Sequence, residues 1–184
     1  MSSTTSLSSS GTAALRKRWR GSEVETRLVV EGADLNEARA LFREYADWVA
    51  VDLSFQGFPE ELAGLPGEYQ APGGALLLCV VEGRPAGCIA VRPWRERACE
   101  MKRLFVRNAF QGRGCGRFLA AQAIEWAKRA GYERMLLDTL PSMTSAQQLY
   151  ERLGFREVEP YRFNPIPGTR YMELPLAASP GARG

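Results

Sequence analysis

The sequence predicts an α/β fold: a mixed, mainly antiparallel central sheet of about seven strands with flanking helices, on three observations. Two apolar runs, Ala75 to Val81 and Pro85 to Val91, are joined through Glu82-Gly83-Arg84, a hairpin pattern that makes their strands antiparallel. A strand over Ala98 to Val106 enters a glycine-rich turn. A helical stripe of Leu119, Ala123, Trp126, Ala127 and Ala130 follows, then Gly131 and a strand over Glu133 to Thr139. That strand, helix, strand order requires a parallel pair with a right-handed crossover. Finally, Leu35, Ala38, Leu41, Phe42, Tyr45, Trp48 and Val49 recur at helical spacing behind Asp34 and Glu37, a capping-box-like start.

The remaining elements fall in order around these. Val24 to Val30 is rich in Val and Thr and predicts a first strand. Phe55 to Gly74 holds Pro59, Pro66, Pro72 and five glycines, which predicts mostly loop with one short helical turn after Pro59. A loop of that length is often functional. Ala146, Leu149, Tyr150 and Leu153 stripe a last helix from Thr144 to Leu153, closed by Gly154. Phe155 to Val158 and Arg170 to Leu174 predict a closing strand pair around a loop at 159–169. With 184 residues and 20.4 kDa, one domain over 23–176 accounts for the chain, with a disordered Ser/Arg-rich tail at 1–22 and a disordered end at 177–184.

Composition excludes several classes. No stretch approaches the roughly 20 apolar residues that cross a bilayer, and the first residues lack the hydrophobic core of a secretory signal, so no membrane partner and a cytoplasmic location are expected. The net charge of +3 is too small to imply nucleic acid. Arg16, Lys17, Arg18 and Arg20 read as a solvated linker, with a transit peptide or nucleic-acid-binding arm as the other readings. Cys79, Cys88, Cys99 and Cys115 form no close pair, which predicts reduced thiols. Histidine is absent, which removes Ser-His-Asp and Cys-His nucleophile systems and, with no Cys pairs, the usual zinc sites. No metal is expected, and proton transfer falls to Glu, Asp, Tyr, Cys, Lys or water. A homodimer is left open.

Chemistry concentrates where the Ala98–Val106 strand becomes a helix. Gly112, Gly114 and Gly116 alternate there, so the backbone can adopt unusual angles and approach a ligand, while the first helical N–H groups point outward unpaired. The helix dipole and Arg113 and Arg117 add positive potential, an arrangement suited to phosphates. A Walker loop is excluded because no Lys-Ser or Lys-Thr pair exists. A dinucleotide fingerprint would need Gly or Ala where Arg117 stands, although Asp138 at the end of the next strand resembles its ribose-binding acid. A nucleotide-binding module using Gly112 to Gly116 and Asp138 therefore remains an alternative.

Gln111-Gly112-Arg113-Gly114-Cys115-Gly116 resembles the (Arg/Gln)-x-x-Gly-x-(Gly/Ala) motif of the GCN5-related N-acetyltransferases, and Leu149-Tyr150-Glu151-Arg152-Leu153-Gly154-Phe155 resembles their later L-Y-x-x-x-G-F segment. The resemblance spans about Val24 to Leu174 and implies the acyl-CoA N-acyltransferase fold. The implied activity is acetyl transfer from acetyl-CoA to a primary amine, and a non-catalytic acyl-CoA sensor on the same fold is the other implied reading. It further implies a pyrophosphate on the main-chain N–H groups of Gln111 to Gly116, with Arg117 near. The pantetheine arm would pair with Leu104, Phe105 and Val106, where a backbone N–H polarises the thioester. The family often has Asn where Met143 stands; Ser142, Thr144 and Ser145 are the polar neighbours.

Two side chains carry the implied catalysis. Glu100 shares its strand with Leu104 and Val106 at even spacing, so one face is expected to present all three, and apolar neighbours are expected to raise its pKa toward that of a general base. An ion pair with Lys102 or Arg103 is the competing reading. Tyr150 lies on an apolar stripe where an aromatic serves the core, whereas the resemblance implies that it donates to the coenzyme sulfur. Cys115, at a helix N-terminus, reads as packing or as a reactive thiol. The acceptor, a small amine or amino-acid-like molecule, is expected between 55–74 and 159–169, against Phe55, Tyr161, Arg162 and Phe163.

Overall fold

The structure, a computed structural model, describes residues 4–7, 13–19 and 22–176. The strands are β1 Thr4–Leu7, β2 Ala13–Trp19, β3 Ser22–Leu28, β4 Ala75–Val81, β5 Arg84–Pro93, β6 Ala98–Val106, β7 Arg134–Thr139, β8 Arg156–Val158 and β9 Arg170–Pro175. They form one sheet in the order β1-β2-β3-β4-β5-β6-β7-β9-β8. Only β6 and β7 pair in parallel, across the helix α3 Cys115–Arg129; every other neighbour is antiparallel. Seven of the nine strands, β3 to β9, are those expected from the sequence.

The other two lie at 4–7 and 13–19, in the stretch whose composition predicts a disordered tail, and there the chain pairs as strand. Arg16 shows why: it faces Glu25 across the β2–β3 ladder, with its guanidinium 3.0 Å from Glu25 and 3.4 Å from Glu23. Cross-strand pairing of opposite charges supports a ladder that a count of basic residues hides. The expected disorder at 177–184 falls outside the described residues.

Two cores sandwich the sheet. β4 is buried along its whole length, which is why it reads as an unbroken apolar run: Leu77, Cys79 and Val81 face one core and Leu76, Leu78 and Val80 the other. The first core is covered by α3 through Leu119, Ala120, Ala123 and Ala127 and by Tyr150 of α4 Thr144–Arg152. The second is covered by Ala38, Leu41 and Phe42 of α1 Gly32–Val49 and by Phe58 of α2 Phe58–Gly64. α1 starts two residues before Asp34, at an N-cap Glu31 that makes no side-chain cap; Asp34 faces Arg27 at 3.4 Å instead. Between α1 and β4 the expected loop is more helical than predicted, because short 3-10 turns at Ser54–Gln56 and Gly67–Tyr69 flank α2.

The feature that positions the site is a bulge in β6. Lys102 opposes Ala90 and Phe105 opposes Cys88, so Arg103 and Leu104 together face the single residue Ile89. Arg103 takes a left-handed φ of 57°. Its buried guanidinium is held by both carboxylate oxygens of Glu61 at 2.9 and 2.7 Å and lies over the rings of Tyr45 and Phe58. Nearby, a Cβ on Gly87 would stand 2.3 Å from the Phe105 carbonyl oxygen, so only glycine permits this approach of β5 to β6.

Candidate active site

β6 and β7 stay together only from Ala98 to Glu100, opposite Arg134 to Leu136, and then part. The opening between them is a cleft floored by Met101 to Leu104 of β6 and by Asp138 and Leu140 at the end of β7. Its interior holds about 50 Å³, little more than one or two waters occupy. Tyr45 and Trp48 of α1, Phe55 and Gln56 before α2, and Tyr150 of α4 close its sides. Leu104 thus borders the opening, as expected. The Phe105 side chain packs under Tyr45 and Trp48, ring centroids 6.4 and 6.1 Å away, which leaves only its main chain toward a ligand.

The glycine loop leads from the end of β6 into α3. Gly112 and Gly114 take φ of 71° and 77°, conformations that side chains resist, and Gly114 caps α3 without a side-chain bond. The first intrahelical bond runs from Phe118 N–H to the Gly114 carbonyl, so the N–H groups of Cys115, Gly116 and Arg117 have no helical acceptor. Gly116 is different. Its backbone is ordinary, and a Cβ there would meet only Leu149 and Val106, both at 3.8 Å. That Cβ would fill the gap between β6 and α4, so the missing side chain keeps space that the fold itself does not need. Arg113 stands over the Phe110 ring at 5.8 Å, and both it and Arg117 are exposed. Gln111 donates to the Val106 carbonyl at 3.1 Å, reaching from the loop to the strand edge.

Glu100 is not placed as predicted. The bulge breaks the even spacing: Lys102 and Phe105 share the α1 side with Glu100, while Leu104 and Val106 pack toward α3. Glu100 is fully buried, and both of its oxygens are taken. Arg92 donates to Oε2 at 2.9 and 2.8 Å; Tyr161 and Arg162 donate to Oε1 at 2.9 and 2.8 Å. Burial alone would raise this carboxyl, but Lys102, Arg92 and Arg162 outweigh it and hold it below the ordinary range, the reverse of the expected rise. The competing ion-pair reading is right in kind, with Arg92 and Arg162 as the close partners and Lys102 at 4.0 Å.

The loop at 159–169 is stapled by the same contacts. Tyr161 and Arg162 therefore anchor to Glu100 rather than line the cleft, and Phe163 is 79% exposed. Of the expected acceptor residues only Phe55 lines the opening. Tyr150 does line it; burial raises its phenol, and among the described residues its hydroxyl has no hydrogen-bond partner. Cys115 is buried against Cys79, whose thiol contact lowers the Cys115 pKa, so it packs inward from the loop. Met143 borders the cleft where the family often has Asn.

Lys102 and Asp138 belong to the site on geometry, and the sequence reading assigned neither to it in these roles. Lys102 Nζ lies 3.1 Å from Gln56 Oε1 and 3.4 Å from Asp138 Oδ1, and Asn164 donates to the other Asp138 oxygen at 3.0 Å. Burial lowers the Lys102 ammonium to about 8, despite the opposing pull of Asp138 and Glu100. Burial would raise Asp138, but Lys102 and Asn164 hold it low. The usable signal was the pair of polar residues, Lys102 and Asp138, set into strands that are otherwise buried.

These features have counterparts among known proteins. The model of the acetyltransferase (GNAT) family matches residues 36–155, and the chain belongs to that family. An uncharacterised N-acetyltransferase of Schizosaccharomyces pombe is 39% identical over 146 residues, 78% of this chain and 90% of that one. The N-acetylaspartate synthetase of Rattus norvegicus is 32% identical over 107 residues, 58% of this chain and 35% of that one. The fold is shared with the yncA protein of Salmonella typhimurium, solved with its cofactor acetyl-CoA, at a TM-score of 0.61 and 23% identity, covering 85% of this chain and 99% of that one. The family uses acetyl-CoA as acyl donor, and the chain is accordingly an N-acyltransferase.

Proposed function

We propose that this chain transfers the acetyl group of acetyl-CoA to the primary amine of a small or amino-acid-like acceptor in the cytoplasm. The observations that support the reading are the N–H groups at 115–117 without helical acceptors, the absent side chain of Gly116 between Val106 and Leu149, and the parting of β6 from β7 after Glu100. Bound there, acetyl-CoA would supply an activated acetyl thioester. The N–H groups of Cys115, Gly116 and Arg117, with Arg113 and Arg117 beside them, would hold its diphosphate at the helix N-terminus. The freed edge of β6 from Leu104 to Val106 would pair with the pantetheine amides and orient the thioester carbonyl toward a strand N–H. Tyr150, whose hydroxyl has no hydrogen-bond partner among the described residues, would donate to the sulfur as it leaves.

The acceptor would enter between α1, the 54–56 turn and Ile166, over Phe55 and Trp48. An amino-acid-like acceptor is supported by the name of the synthetases that share this segment. The nucleotide alternative loses its ribose ligand, because Asp138 is already bound by Lys102 and Asn164. Calorimetry with acetyl-CoA, NAD and ATP, followed by thiol release over L-aspartate, L-phenylalanine, phenethylamine and a lysine peptide, tests the reading. Selective acetyl-CoA binding with amine-dependent thiol release is expected. Tighter binding of NAD or ATP, or thiol release indifferent to every amine, would overturn it.

A further inference from the structure

Glu100 cannot reach an acceptor without abandoning four hydrogen bonds to cations and a phenol, so the proton released by an incoming ammonium needs another destination. With no histidine in the chain, the groups bordering the cleft that exchange protons are Tyr45, Lys102, Asp138 and Tyr150. Desolvation raises both phenols, so neither is a phenolate near neutral pH. Asp138 has Lys102 on one oxygen and Asn164 on the other.

We infer that Lys102 is the general base of the transfer, its Nζ accepting a proton from the acceptor ammonium at the floor of the cleft, with Asp138 and Gln56 as its positioning residues. The inference rests on the acetyltransferase reading above and assigns a residue within that site. Lys102 is two residues past the last position of β6 paired with β7, immediately before the bulge, so its side chain lies at the opening where the thioester would lie. Gln56 and Asp138 hold Nζ from opposite elements and leave a third hydrogen position of the ammonium, or the lone pair of the amine, for an acceptor.

The charges facing Lys102 set its protonation. Asp138 from β7 and Glu100 from β6 favour the ammonium; burial, Arg103 from the bulge and Arg162 from the 159–169 loop oppose it. Glu61 of α2 also senses Lys102, and Tyr45 and Tyr150 add no charge near neutral pH. The balance places Lys102 at about 8, so a usable fraction is free amine at mildly alkaline pH. The inventory closes. Of the three ammonium protons of the acceptor, one passes to Lys102 and on to water, one to the departing thiolate, and one stays on the amide nitrogen. The N–C bond forms and the C–S bond breaks.

The test combines kinetics with a titration that needs no turnover. The chain has three lysines, Lys17, Lys102 and Lys128, so carbon-13 labelling of lysine Cε gives few signals, and Lys102→Arg assigns one of them. In the full-length wild type the Lys102 signal should titrate at about 8, well below the ordinary lysine value of 10.5 and apart from the other two signals. With a panel amine of pKa about 10, kcat/KM should rise with pH to a plateau whose midpoint matches that titration. Lys102→Arg, which keeps the charge but cannot deprotonate, should lose the rise and about 100-fold in kcat/KM, with acetyl-CoA affinity within about twofold. Asp138→Asn should move the midpoint to lower pH.

Three results would overturn the inference: a Lys102 signal titrating with the other lysines, an unchanged pH rise in Lys102→Arg, or a loss confined to KM for the amine. Wild-type chain that neither binds acetyl-CoA nor releases thiol would instead remove the acetyltransferase reading, and this base with it.

Discussion

Lys102 Nζ and Asp138 Oδ1, 3.4 Å apart, span the strand pair that no longer shares main-chain hydrogen bonds. Glu100 pairs with Leu136 in the last register position of β6 and β7, so continued pairing would set Lys102 beside Asp138. The ladder stops and the side chains reach across in its place. Gln56 and Asn164 join them, which brings elements before β4 and after β8 onto the floor of one cleft. The opening is therefore braced from below by charge while its upper edge stays available to a ligand.

Glu100→Gln separates a brace from a base. The substitution leaves the half-buried Arg162 without its anion and Arg92 with Glu68 alone, so stability should fall by about 3 kcal/mol in urea unfolding. The alkaline rise in kcat/KM should survive in the folded enzyme, moved to lower pH because Glu100 favours the Lys102 ammonium. Loss of the rise itself would return the base role to Glu100.

Stability should depend on pH at both ends. Glu61, Glu100 and Asp138 are held below their unfolded values, so each contributes stability that is present above about pH 4.5 and lost as pH falls through its folded pKa. Lys102 acts on the other side. Between about 8 and 10 the unfolded chain still carries its proton while the folded chain has released it, so stability rises with pH in that window. Urea midpoints across the range should show the alkaline rise in wild type and not in Lys102→Arg.

The seven strands β3 to β9, the parallel pair and the helix after the glycine loop were legible because each is a local pattern of period or turn chemistry. What the sequence carried of this region is its main chain: glycine spacing reports backbone directly, and Gly112 and Gly114 take the left-handed angles it leads one to expect before α3. The face shared by Glu100, Leu104 and Val106 was not legible, because the bulge at Arg103 and Leu104 shifts every later residue of β6 to the opposite face. Nothing local announces that bulge. Its support is Glu61, 42 positions earlier in the chain. Likewise the ionic contacts of Glu100 come from Arg92 on the neighbouring strand and Arg162 in a distant loop.

Tyr150→Phe should divide chemistry from packing. The ring fills the core beside Phe155, 5.7 Å between centroids, and phenylalanine keeps that contact. Because the hydroxyl is buried without a partner among the described residues, its removal should leave stability unchanged or higher by up to about 1 kcal/mol. If it serves the leaving sulfur, kcat should fall about 100-fold with acetyl-CoA affinity intact. Equal kcat in the two proteins would make Tyr150 a core residue alone.

Two alanines in the glycine loop should fail in opposite ways. At Gly114, with φ of 77°, a Cβ strains the backbone, and Gly114→Ala should cost about 1–2 kcal/mol of stability whether or not a ligand is present. At Gly116 the backbone is helical and the nearest atoms to a new Cβ are at 3.8 Å, so Gly116→Ala should fold as well as wild type or better. Its methyl would occupy the gap between Val106 and Leu149, and overpacking of about 1.4 kcal/mol against the ligand corresponds to about tenfold in affinity. Calorimetry beside thermal melting reads both quantities. Normal acetyl-CoA affinity in a stable Gly116→Ala protein would mean that the coenzyme does not pass between β6 and α4, and the path proposed for it would have to be redrawn.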